Sequence, residues 1–300
     1  MKRRAVVSGA NGFVGSAVVR SLLENDYEVY ALVHSSRANL PEDKNLFVMQ
    51  YDGSQTTMEI PEADYFFHFA WEGMTGKKRS DIGVQMGNLE MTRNAMKLAK
   101  NTGCRRFIGC GSIMEDESMA GINNPEFLPS PGHIYGFVKM LCRYYCKMYA
   151  IENGMGYVCG RLTNTYGPGE VSNRLICDLI RCLLNGNPKE LSSCIQNYDF
   201  IYIDDVADAF VSIAEKGKNL QNYVVSSGEP RRLSDYLGTI GDMIGRSDLL
   251  HYGSLPPGIN LDVSSFDNSS LLNDTGFRPK VGFEEGIKRT IEWNRGQLSV

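Results

Sequence analysis

Three hundred residues, 42% of them apolar, suffice for a substantial core and leave one large domain or two open. A net charge of −4 without a long basic run argues against a nucleic-acid partner. The first residues are basic, and then only Ala5, Val6 and Val7 are apolar. That run is too short for a signal peptide or a membrane span, so a cytoplasmic chain with no membrane partner is expected.

Ala5-Val6-Val7 reads as a first strand, and apolar residues recur at helical intervals from Val14 to Glu24. The runs Val29 to Val33, Leu46 to Met49, Tyr65 to Phe67 and Phe107-Ile108 lack period-two alternation, as strands buried on both faces do. A second amphipathic helix is predicted over Asn88 to Ala99. Strand, helix, strand repetition of this kind argues for an α/β fold with a parallel sheet covered on both sides. From Met114 to His133 the periodicity breaks at Pro125, Pro129 and Pro131, which predicts a loop about 20 residues long, functional or mobile. A helix is expected from about Ile134 to Asn153, then an apolar strand to Arg161. Beyond Gly167, prolines punctuate shorter elements. Asp204 or Asp205 is a candidate cap for a helix starting near Val206, and Ser234 for one through Leu237 and Ile240. The eight cysteines include no CxxC pair, and nothing near Cys142 and Cys146 in sequence completes a tetrahedral site. Reduced thiols and no metal are expected.

Between the first strand and helix stands Ser8-Gly9-Ala10-Asn11-Gly12-Phe13-Val14-Gly15. Gly9 permits a tight turn, Gly12 a close backbone approach to a pyrophosphate, and Gly15 close helix–sheet packing. The helix N-terminus faces the negative charge. This placement predicts a Rossmann-type doubly wound parallel sheet, with residues 1–166 as the dinucleotide-binding domain and some later segments returning to it. Residues 167–300 are then mainly a smaller α/β substrate-binding portion. After the second strand, His34-Ser35-Ser36-Arg37 holds no carboxylate for a ribose 2′-hydroxyl, whereas Arg37 and the serines suit a 2′-phosphate. NADP(H) is the expected cofactor and NAD(H) the alternative; the competing reading of Arg37 is a solvated loop charge.

Tyr135-Gly136-Phe137-Val138-Lys139 puts a phenol and an ammonium one turn apart on one helix face. A cation nearby favours a phenolate, so such a tyrosine can exchange a proton with an alcohol or carbonyl while a nicotinamide exchanges the hydride. The pair is weak evidence alone and much stronger about 120 residues after a glycine-rich dinucleotide loop.

With these motifs, and with Phe67-His68-Phe69-Ala70, Gly111-Ser112, Arg161 to Gly169, Ile203 to Ala207, Gly276 to Pro279 and the helix from Glu285 to Trp293, the chain resembles extended short-chain dehydrogenases/reductases of the nucleotide-sugar epimerase/dehydratase family. The resemblance implies that Ser112 hydrogen-bonds the reacting sugar oxygen beside Tyr135, and that Lys139 also holds the nicotinamide ribose. It implies Asp52 and Gly53 at the adenine, and Phe69, Ala70, Trp71, Asn88 and Leu162 along the rest of the cofactor. Asn164 and Asn173 would contact the sugar nucleotide. For each, a structural role competes, and His68 reads as a satisfied core residue.

The departures restrict the reaction. Family dehydratases carry an Asp-Glu pair after the residue equivalent to Ser112; here Ile113 and Met114 stand there, and neither can serve as acid or base. Glu115 instead resembles the arrangement of 4-keto reductases such as CDP-abequose synthase, which implies a substrate contact at Glu115, and Phe69 to Gly73 resembles that subgroup too. Tyr198 stands before Asp199-Phe200 where many members have Arg, so a phosphate contact is missing or comes from Arg174, Arg231 or Arg232. The resemblance thus implies hydride transfer at C4 of a nucleoside-diphosphate sugar, by an NADPH-dependent 4-keto reductase or a 4-epimerase. A non-catalytic dinucleotide-sensing regulator and a reductase of non-nucleotide carbonyls are the other readings. Leu141, Tyr144, Tyr145, Met148 and Tyr149 crowd one helix and, with the helix at Asn88 to Ala99, predict a homodimer.

Overall fold

The apolar runs of the first half gather into one sheet in the computed structural model, which describes residues 2–35, 39–122 and 130–298. The first half runs β1 (Arg4–Ser8), α1 (Phe13–Glu24), β2 (Glu28–Val33), β3 (Leu46–Gln50), β4 (Tyr65–His68), α2 (Ile82–Asn101), β5 (Arg106–Ser112), α3 (Met114–Ile122), α4 (Pro131–Glu152) and β6 (Gly156–Leu162). Then come β7 (Asn164–Tyr166), α5 (Leu175–Leu184), β8 (Lys189–Glu190), β9 (Asn197–Tyr198), β10 (Phe200–Tyr202), α6 (Ile203–Lys216) and β11 (Asn222–Val225). The chain continues through β12 (Arg231–Arg232), α7 (Leu233–Ile244), β13 (Leu250–His251), α8 (Ser269–Thr275) and α9 (Phe283–Leu298).

Among the described residues the main sheet has seven strands, all parallel, in the order β11-β6-β5-β4-β1-β2-β3. The order reverses between β1 and β4, the point where such sheets open a ligand crevice at their carboxyl ends. Successive residues of one strand enter opposite cores. Ala5, Val7, Tyr65 and Phe67 pack with α1 and α6, while Val6 and Phe66 pack with α2 and α4. Both faces are therefore apolar, which is why these strands read as unbroken runs. Each large side chain fully buried this way contributes about 1.5–3 kcal/mol.

Several boundaries differ from the sequence expectation. Residues Met114 to Ile122 form α3, not a loop, and 123–129 of the expected loop lie outside the described residues. Glu115, Asp116 and Glu117 occupy its first turn, where carboxylates complement the helix dipole. Pro131 opens α4 at a position that tolerates proline, so the helix starts before Ile134; the Ser130 N–H donates to His133 Nδ1 at 2.7 Å. α2 also starts earlier than Asn88, capped by Asp81, whose carboxylate accepts from the Val84 N–H at 3.1 Å. Neither Asp204, Asp205 nor Ser234 caps a helix: α6 and α7 begin after Tyr202 and Arg232, with no side-chain cap. Asp205 is instead buried and accepts from the backbone N–H groups of Lys280 at 2.8 Å and Val281 at 3.0 Å, joining α6 to the C-terminal segment.

Asp199 has a similar task beneath the second half. Fully buried between β9 and β10, it accepts from Thr163 Oγ1 at 2.8 Å, the Ser227 N–H at 2.9 Å and Ser227 Oγ at 2.6 Å. These bonds tie the ends of β6 and β11 to the start of β10. Burial raises its pKa despite them.

Candidate active site

The turn after β1 is shaped for close approach. Gly9 has φ +69°, and a Cβ there would stand 2.5 Å from the Ala70 nitrogen. The Gly12 N–H closes the turn onto the Gly9 carbonyl at 3.0 Å. A Cβ on Gly15 would overlap that same carbonyl oxygen, so α1 packs directly on the turn. Gly12 caps α1 without a side-chain bond, and no acidic residue enters the first turn. The N-terminal amides at Phe13 and Val14 are thereby offered to an anion. The backbone of Phe69 and Ala70 borders Gly9, while the Phe69 ring turns inward, 4.9 Å from the Phe210 ring. His34 and Ser35 are exposed beyond β2; Arg37 lies outside the described residues. Asp52 accepts from the Ser54 N–H at 2.8 Å and Oγ at 2.6 Å, bonds that hold its carboxyl below the usual range. Asn94 Nδ2 donates to the Gly53 carbonyl at 3.1 Å. Asn39 Nδ2 donates to the Asn11 carbonyl, also at 3.1 Å. A turn that a Cβ would fill, leading into an uncapped helix N-terminus, fits a dinucleotide.

Ser112 ends β5, and Tyr135 and Lys139 stand one turn apart on α4; all three are buried. Lys139 Nζ donates to the Cys110 carbonyl at 3.0 Å and lies 3.6 Å from the Trp71 ring centroid and 5.8 Å from that of Tyr135. Burial pulls the Lys139 pKa down, but neighbouring groups, Tyr135 foremost, hold it above the ordinary lysine value. Trp71 meets Tyr135 edge to face at 5.8 Å, and its indole N–H donates to Gln85 Oε1 at 3.1 Å.

Asn88 accepts from the Glu72 N–H and donates to its carbonyl, both at 2.8 Å. It therefore fixes the Trp71–Glu72 segment rather than presenting its amide to a cofactor. Leu162 packs on the core, and its carbonyl accepts from the Ile113 N–H at 2.8 Å. His68, buried, bonds Ser8 Oγ at 2.7 Å and Thr92 Oγ1 at 3.1 Å, and burial lowers its pKa to about 3. It is a neutral core residue, as expected.

Ser112 and Tyr135 open onto a cavity of about 320 Å³, whose walls also include Asn164, Asn173, Arg174 and Tyr198. Two expected substrate contacts lie elsewhere. Glu115 is buried away from this cavity, accepting from the Ser112 N–H at 3.0 Å and paired with Arg143 at 2.6 Å, so it fixes Ser112 from behind. Arg231 lines a separate cavity and pairs with Glu284 at 2.8 Å. Ile113 and Met114 line the site with apolar side chains at the positions where an acid and a base would stand. Arg79, which sequence reasoning missed, stands on the cavity wall with its guanidinium carbon 5.1 Å from the Tyr135 ring centroid. Its signal was the short Lys77-Lys78-Arg79 run after β4. Among the described residues no three His, Cys, Asp or Glu side chains gather as a metal site, and no helix is long and apolar enough to cross a membrane.

Known proteins share this architecture. Over 309 residues the chain is 25% identical to CDP-abequose synthase of Salmonella typhimurium, covering 97% of this chain and 98% of that protein. It is 25% identical to the dTDP-D-glucose 4,6-dehydratase of Mus musculus, covering 98% of this chain and 89% of that one. Among solved structures, the UDP-N-acetylglucosamine 4-epimerase of Methanobrevibacter ruminantium M1, in complex with UDP-N-acetylmuramic acid, superposes with a TM-score of 0.80. Its sequence is 26% identical, with 99% of this chain and 100% of that one covered. Residues 5–226 match the NAD dependent epimerase/dehydratase family, so the chain belongs to that family and is an enzyme of the short-chain dehydrogenase/reductase type.

Proposed function

We propose that the chain transfers a hydride at C4 of a nucleoside-diphosphate sugar, as an NADPH-dependent 4-keto reductase working in the cytoplasm. The observation that carries this reading is Ser112 and Tyr135 on the wall of one cavity with Asn164, Asn173 and Arg174. The nicotinamide, when bound, supplies the hydride. Tyr135 gives its hydroxyl proton to the C4 oxygen, Ser112 donates a hydrogen bond to that oxygen, and the Lys139 ammonium stabilises the phenolate that forms. Asn164 and Asn173 hydrogen-bond the nucleotide part, and Arg174, 3.8 Å from Glu170, supplies the cation that Tyr198 does not. Ile113 and Met114 offer no acid or base for expelling water, which argues against dehydration.

The likeness to a 4-epimerase supports a second reading, in which Tyr135 first removes the C4 hydroxyl proton and the cofactor ends unchanged. Incubating the enzyme with UDP, CDP and dTDP sugars, 4-keto and 4-hydroxy, and with NADPH and NADH, separates the two. Stoichiometric cofactor oxidation supports the reductase, and inversion at C4 without net oxidation the epimerase. Neither outcome would leave a dinucleotide-binding regulator. NADP(H) should bind more tightly than NAD(H), because no carboxylate follows β2 and Arg37 is positively charged. Titrations should show Arg37→Ala losing NADP(H) affinity selectively; equal affinities in the parent would refute the preference. We further propose a homodimer through the outer face of α4.

A further inference from the structure

We propose that Glu115 and Arg143 are a positioning pair. Through the Ser112 backbone they set where the Ser112 hydroxyl meets the sugar oxygen beside Tyr135, and they act on the chemical step rather than on binding. This rests on the hydride-transfer reading above.

The Glu115 side chain is 1% exposed, and its carboxylate meets two donors at once. One oxygen accepts from the Ser112 N–H at 3.0 Å and the other from Arg143 Nε at 2.6 Å. Arg143 stands on α4 one turn beyond Lys139, which is itself one turn beyond Tyr135. The carboxylate therefore joins the end of β5 to the helix that carries the phenol and the ammonium. Gly111 makes the room: a Cβ there would stand 2.6 Å from Glu115 Oε1. Asp116, paired with Arg161 of β6 at 2.5 Å, holds the start of α3 at the same end of the sheet. Ser112 Oγ accepts from the Met114 N–H at 3.2 Å, so the hydroxyl's one hydrogen is left for an acceptor in the cavity. The first turn of α3 thus holds both the backbone and the hydroxyl of Ser112, and Arg143 locks that turn onto α4.

Stability alone gives little reason for such a pair. Desolvation of two buried charges offsets their attraction, and apolar residues of similar volume often replace them without loss. What the pair adds is direction. A hydrogen bond to charge developing on the sugar oxygen is worth most at one geometry, and a misplacement of about 1 Å costs about 10²-fold in rate.

The test replaces the pair with apolar residues, Glu115→Leu with Arg143→Met, in the parent and in Ser112→Ala. The Tm and NADPH binding of the double variant should stay near the parent's. Hydrogen exchange at the Ser112 amide, which needs no substrate, should accelerate because its acceptor is gone. On a sugar nucleotide that the parent converts, kcat should fall about 10–10²-fold while KM barely changes. In the Ser112→Ala background the same replacement should lower kcat by no more than about twofold, because the hydroxyl it would misplace is already absent. Glu115→Gln, whose amide offers one acceptor to two donors, should fall between, and it carries the same comparison if the double variant does not fold. Equal losses with and without the Ser112 hydroxyl, or no loss, would overturn the positioning role while leaving hydride transfer intact. Unchanged exchange at the Ser112 amide would overturn it too. A parent that binds NADPH yet converts no sugar nucleotide would overturn the functional reading, and this inference with it.

Discussion

Burial pushes the Glu117 carboxyl up from 4.5 to about 7, with Arg79 opposing the shift. The folded chain therefore keeps a proton that the unfolded chain releases between those two pH values. Stability from this group is full below the unfolded value and is lost as pH rises through the folded one. Glu117→Gln removes that loss, so its stability relative to the parent should grow from about pH 5 to about pH 8; urea midpoints at both ends measure it. A pH-independent difference would contradict the account. At this scale the placement of Tyr135 beside Lys139 was readable because the two lie within one helical turn, and their spacing alone puts them on one face. Glu115 was misread because spacing from Ser112 says nothing about direction: its carboxylate turns inward to Arg143. Arg79 was missed because it enters the site from a separate turn that only the tertiary fold brings over Tyr135.

The glycine turn makes the sharpest prediction for an element. A Cβ on Gly15 would collide with the Gly9 carbonyl, which is backbone and cannot swing aside. Gly15→Ala should cost about 1–3 kcal/mol of overpacking, lower the denaturation midpoint, and weaken dinucleotide binding by moving the helix N-terminus. Unchanged cofactor affinity would show that the turn does not hold the pyrophosphate. The inner strands of the first half were legible because parallel strands buried on both faces are apolar throughout; β3, expected to be buried on both faces, lies at the sheet edge and is only partly buried, with Phe47 exposed. The helix α3 was not: its neighbouring prolines hid a short element whose evidence is three acidic residues in a first turn. The supposed caps of α6 and α7 failed for a related reason, since a polar side chain near a helix start can serve a distant backbone, as Asp205 serves Lys280 and Val281.

At the scale of the whole molecule, β11 completes the main sheet from residues beyond the first half, pairing with β6 along Asn222 to Val225. Patterning in sequence shows that a strand is apolar, not which partner it finds, so this pairing could be expected only in outline. On α4, Tyr145 and Tyr149 pack against the core, whereas Leu141, Tyr144, Met148 and Ile151 are exposed along one helical face. Such a stripe suits the proposed dimer. Sedimentation should give a dimer for the parent and a monomer for the double variant Leu141→Glu, Met148→Glu; a parent that stays monomeric at every concentration would rule it out.

The central claim is that Tyr135 moves the proton while hydride is transferred, and Tyr135→Phe tests it most directly. The substitution keeps the ring that packs against Trp71 and removes only the hydroxyl. With a sugar nucleotide that the parent converts, kcat and kcat/KM should fall together by about 10²–10⁴-fold. KM and NADPH binding should barely change. Near-parent turnover in Tyr135→Phe would contradict the mechanism and move the proton to another group.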